Sequence, residues 1–213
     1  MQQDHGTICL PERTRSAVRP ELSSRLRRLC IAFSALAFLF SMDSQAQAPK
    51  ANAYQVQAAY LYNFGKFVKW PVVAPSNQSG AFTICVLDGN PFADTLQSTL
   101  AGESVGGKPV VVKRLPKPED AVACHILFIS SAQGKDLHGI LTAVEQLSVL
   151  TVSDMPDFSR RGGMIQFVLE GNRIRFEINL QSAEKSHLVF ASELLKVAQA
   201  VTKPGQETDN VHN

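Results

Sequence analysis

The sequence predicts an α/β fold with a mixed, mostly parallel sheet flanked by helices, finished by a C-terminal β-hairpin and a closing helix. Three observations predict it. Short, continuous β-branched runs (FTICVL, VVVK, CHILFI, VLTVS) alternate with amphipathic helix-like segments, as parallel strands covered on both faces do. Two further strand-like runs, GMIQFVLE and RIRFEINL, are separated only by Gly171-Asn172, a loop suited to a tight hairpin turn. The run AEKSHLVFASELLKVAQAV (183–201) then returns to helical spacing and carries Leu188, Ala191, Leu195 and Ala198 on one face.

Before the first of these elements stands a leader. Arg25, Arg27 and Arg28 precede a mostly apolar run, LCIAFSALAFLF (29–40), and a polar segment ending in Ser44-Gln-Ala46. This is the layout of a secretory signal peptide, too short in its apolar part to span a bilayer comfortably. Residues 1–46 are therefore expected to be removed, with an uncleaved anchor as the alternative, and the protein is expected in the periplasm. Cys30 opens the apolar run instead of closing it, which argues against a lipoprotein. The 213-residue chain has 21 basic and 19 acidic residues. The leader holds six and four of them, leaving a neutral exported domain with no electrostatic footprint for nucleic acid.

In the exported part, 47–202 is expected to form one domain and 203–213 a disordered tail. Ala53 to Trp70 places Val56, Ala59, Tyr60, Phe64, Phe67 and Val68 on one helical face, and Pro71 ends the helix. PFADTLQSTL (91–100) and KDLHGILTAVEQL (135–147) read as the helices between strands. The stretch GESVGGKP (102–109) satisfies seven of the eight positions of the phosphate-binding pattern GxxxxGK(S/T), but Pro109 supplies no hydroxyl. The order is also inverted, since a helix precedes these glycines and a strand follows. Gly102 is better read as a helix cap and Gly106-Gly107 as a turn into a strand.

Catalytic patterns are scarce. His125, His138, His187 and His212 are scattered without HExxH or CxxC spacing and read as surface or helix polarity, so no metal or cofactor is expected. There is no GxSxG. Cys85 and Cys124 are the only cysteines outside the leader, one inside a strand and one opening another. An even pair in an oxidising compartment is expected to form a disulfide if the strands are neighbours, with two separate buried thiols as the alternative. His125 follows Cys124 directly, so its side chain should point to the opposite face of the strand. Asp154, Asp157 and Glu177 could converge at a sheet end, although the first two also suit ordinary turns. Arg175 and Glu177 share a strand face and could pair.

Taken together, YNFGKFVKWP (62–71), ICVLDGNPF (84–92), CHILFIS (124–130), VLTVSD (149–154), FSRRGGMIQF (158–167), RIRFEIN (173–179) and ASELLKVA (191–198) resemble the YfiR family of bacterial periplasmic proteins, from about Ala53 to Ala200. The resemblance implies a non-enzymatic regulator that represses an inner-membrane diguanylate cyclase by binding its periplasmic sensor domain. It also implies a homodimer, and an outer-membrane lipoprotein able to sequester the repressor. Cys85 and Cys124 match one family disulfide. The namesake's second cysteine pair falls near Ser159 and Gln166 here, so this chain lacks that bond. Phe158, Arg160, Arg161, Arg175 and Glu177 are the expected partner-binding residues. The alternative function is a small-ligand-binding or sensing domain using a cleft at the sheet end.

Overall fold

The structure, a computed structural model, describes residues 48–203 apart from Ser79 and Asp88. The expected leader, the tail beyond Lys203 and His212 lie outside the described residues. Chain order is α1 (Ala48–Phe67), β1 (Val68–Lys69), β2 (Phe82–Leu87), α2 (Phe92–Thr99), β3 (Ser104–Val105), β4 (Lys108–Leu115), β5 (Ile126–Ile129), α3 (Leu137–Val144), β6 (Leu150–Ser153), β7 (Ile165–Glu170), β8 (Arg173–Asn179), α4 (Leu180–Lys185), β9 (Val189–Phe190), α5 (Ser192–Val197) and β10 (Ala200–Thr202). The main sheet has eight strands in the order β10-β8-β7-β6-β5-β2-β4-β3. Neighbours from β4 through β7 run parallel, while β7 with β8 and β3 with β4 are antiparallel. The expected mixed sheet is therefore present.

Alternation along the central strands divides the core in two. Ile84, Val86, Ile126, Phe128, Leu150 and Val152 meet α1 and α2 on one face. Cys85, Leu87, Leu127 and Ile129 meet α3, Met155 and Phe158 on the other. Every residue of β2 is buried, which explains why FTICVL carries no polar alternation. Cys85 and Cys124 are bonded across the second face, with Cα atoms 6.0 Å apart. Cys85 lies on β2, and β5, which follows Cys124, is a neighbour of β2. A bridge of this separation is worth about 4 kcal/mol in the chain-entropy account.

Within the glycine-rich stretch 102–109, Gly106-Gly107 form the expected turn, while the cap of the preceding helix is Leu100 and Gly102, expected there, follows two residues on with a φ of 81°. Gly106 and Gly107 have φ of 58° and 79° and join β3 to β4, with Val105 paired to Lys108. Gly171-Asn172 closes the β7–β8 hairpin with Glu170 opposite Arg173.

Two expectations are corrected. The first helix buries Ala58, Leu61 and Phe64, whereas Val56, Ala59 and Phe67 are exposed. The segment is apolar on more than one face, so the partner decides the phase: Phe64 packs on Phe167 and Phe176 of the hairpin, and the Tyr60 hydroxyl donates to Ile174 O. The helix also stops at Phe67, because Val68 and Lys69 pair with Phe190 and Val189. The closing helix is the second correction. It is divided into α4 and α5, separated by β9, and β10 follows as a parallel edge strand on β8. The break is at His187, whose φ is 58°. Leu188 N donates to Ala183 O and His187 N to Glu184 O, a left-handed helix stop that usually falls on glycine.

Candidate functional site

To lie parallel beside β6, β7 requires the chain to cross back over one face of the sheet. Residues 154–164 do this without a helix. Asp154 Oδ1 accepts from Ser131 N at 2.8 Å, and Ser153 Oγ accepts from Met155 N at 2.9 Å, which fixes the start. The middle is anchored by Phe158, fully buried among the residues under α3. Gly163 N returns to Phe158 O at 2.9 Å, and a Cβ built on Gly163 would fall on the Phe158 ring. Gly162 has a φ of 100°, open to few residues besides glycine. The two glycines of FSRRGG are thus a turn and a space for the preceding aromatic ring.

A buried polar clasp ties this crossover to the hairpin. Ser159 N donates to Gln166 Oε1 at 3.1 Å, and Asn179 Nδ2 donates to Ser159 O at 2.7 Å. Ser159 Oγ lies 3.2 Å from Gln166 Oε1 and 3.1 Å from Glu177 Oε2. Its single proton serves one acceptor at a time, and a carboxylate is the stronger. Ser159 and Gln166, the positions matching the namesake's second cysteine pair, are therefore direct partners, joined by hydrogen bonds.

The expected site residues divide accordingly. Phe158, expected at the surface, is corrected to a buried anchor, since the crossover needs an apolar plug beneath it. Arg160 is exposed and pairs loosely with Asp157 at 3.4 Å. Arg161 Nη2 donates to Gly134 O at 3.0 Å, with Nη1 3.3 Å from Met155 Sδ. Arg175 pairs with Glu170 at 3.7 Å, and Glu177 is held by Ser159 instead of Arg175. Asp154, Asp157 and Glu177 each have a separate partner, so they do not form the convergent carboxylate set considered from the sequence. Among the described residues no group of three or more His, Cys, Asp or Glu side chains could hold a metal ion, and no helix is long and apolar enough to cross a membrane.

His125 is also corrected, from surface polarity to core. Its ring points away from the disulfide face, as strand alternation requires, and stacks on Phe82 at 4.3 Å with Trp70 edge-on at 5.5 Å. Nδ1 accepts from Thr83 N at 3.1 Å, so Nε2 carries the proton, and it has no partner among the described residues. Burial, helped by the charge of Lys108, lowers its pKa from 6.5 to about 4. Sequence reasoning missed this although the signal was present: a residue opposite a buried cysteine in an otherwise apolar strand has a covered face too.

The geometry defines an α/β domain whose conspicuous loop is built as a fixed surface with its carboxylates committed to hydrogen bonds or ion pairs. The chain belongs to the YfiR/HmsC-like family, which matches residues 54–199. Membership supports a periplasmic regulatory role at the level of the family, and the disulfide fits that compartment. The fold is similar to a crystal structure of a conserved domain protein from Vibrio cholerae O1 biovar El Tor, with 12% identity, a TM-score of 0.50, and coverage of 70% of this chain and 60% of that one. It is also similar to an ABC domain from Streptococcus pneumoniae in complex with L-Trp, with 11% identity, a TM-score of 0.44 and coverage of 60% of each chain. This chain spans less than two thirds of either protein, and the likeness to the Vibrio cholerae protein is one of fold.

Proposed function

We propose that this protein is a periplasmic repressor that binds the sensor domain of an inner-membrane diguanylate cyclase and lowers cyclic di-GMP synthesis. The observation that carries the reading is the family match across residues 54–199, nearly the whole described domain. The crossover offers a surface suited to such contact: Arg160 is exposed on a loop whose backbone is fixed by the Ser159 clasp, so little order is lost on binding. Repression across a membrane has to work by stabilising one conformation of the partner.

Titration of the purified protein with the sensor domain of such a cyclase tests this. Saturable binding is expected. Arg160→Glu together with Arg175→Glu should weaken it about tenfold or more, because both side chains are exposed and make only weak surface pairs in the free protein. Absence of binding contradicts the repressor reading, and full binding by the double variant removes these arginines from the contact.

A further inference from the structure

A groove of about 180 Å³ lies between α3, the end of the crossover and α4. Three separate elements bring a basic side chain to it: His138 from α3, Arg161 from the crossover and Lys185 from the last turn of α4. Glu145 is the sole acidic residue in the lining, and none of His138, Arg161 and Lys185 is in an ion pair within the described residues. Arg161 is held from one side by Gly134 O and Met155 Sδ, which orients the guanidinium and leaves further N–H donors unused. Thr151 Oγ1 already accepts from Met164 N, so its own hydroxyl proton is available, and Ser182 and Ser186 also line the cavity. Leu141, Val144 and Met164 supply the apolar part of the wall, beside Thr142 and Glu145.

We propose that this groove binds a small organic anion, a carboxylate on a short apolar body, with its head at Arg161 and Lys185 and its body against Leu141 and Met164. A preoriented guanidinium and a mobile ammonium suit a carboxylate head, and the aliphatic wall distinguishes an organic acid from a bare inorganic ion. A ligand there bridges two helices and the crossover, so it also stabilises the loop that carries Arg160. The inference stands apart from the repressor reading, since it concerns the isolated protein.

The test is calorimetric or NMR titration of the full chain with butyrate, n-butanol and inorganic phosphate. Saturable butyrate binding is expected, with butanol and phosphate each about tenfold weaker or worse. Lys185→Gln should weaken butyrate about tenfold, the loss of one charge-assisted hydrogen bond, without changing the melting temperature of the free protein. Arg161 also supports the loop, so Lys185 and His138→Gln are the informative variants. Butyrate binding no better than butanol, equal binding of phosphate, or unchanged affinity in both variants would overturn the proposal.

Discussion

His125 owes its low pKa first to burial, with the charge of Lys108 adding to it, and this makes the domain acid-sensitive at one identifiable atom. In the folded protein the imidazole takes a proton only near pH 4, whereas in the unfolded chain it does so near 6.5. The unfolded state therefore binds more protons in between. The contribution to stability is fully present above pH 6.5 and is lost as pH falls through this window, to a limit of about 3 kcal/mol. Denaturant midpoints measured at pH 7 and pH 4.5 should show this loss in the wild type and not in His125→Gln; parallel curves would contradict it. Gly163 is a second residue whose role is steric. Gly163→Ala places a methyl group on the Phe158 ring and should cost about 1 to 3 kcal/mol by urea unfolding, the usual range for overpacking a filled core. The sequence displayed both residues openly, as CHI and GG; Phe158 stands only five residues before Gly163, in a local turn, whereas the Phe82 and Trp70 cover over His125 comes from distant segments brought in by the fold.

At the scale of elements, β2, β5 and β6 were legible because each is buried on both faces and so reads as an apolar run, and the β7–β8 hairpin because Gly171-Asn172 is local chemistry. The Cys85–Cys124 bond was likewise within reach on the condition that its strands are neighbours, which the pairing of β2 with β5 meets. The C-terminal elements were less accessible. α4 stops at a left-handed residue that is histidine instead of glycine, and β9 and β10 are too short to show a period of their own. The first helix was found but rotated in phase, since Val56, Phe67 and Leu61 are equally apolar and only the hairpin's Phe167 and Phe176 choose between faces. The α4 stop has a testable cost. His187 is exposed, and a side chain in the left-handed region carries about 1 kcal/mol of strain that glycine avoids. His187→Gly should therefore raise stability by up to about 1 kcal/mol in urea unfolding, whereas the same change in an ordinary helical position would lower it.

For the molecule as a whole, the sequence carried the family and the fold, while the crossover clasp and the basic groove emerged only when distant segments met. Ser159, Gln166, Glu177 and Asn179 are spread over three segments, and nothing in their spacing marks them as one network. Under the proposed repressor reading, a domain held outside the inner membrane acts on a cytoplasmic enzyme only through the conformation of a membrane-spanning partner. Moving that partner from nearly all active to nearly all inactive takes about 5.5 kcal/mol of differential binding, so the contact has to discriminate strongly between its two states. The most direct measurement is of cellular cyclic di-GMP in a clean deletion of this gene, under conditions where the protein is expressed, beside a strain that also lacks the partner cyclase. The account predicts a rise in the single deletion, with greater biofilm formation, and return to the starting level in the double deletion; an unchanged level in the single deletion would contradict it.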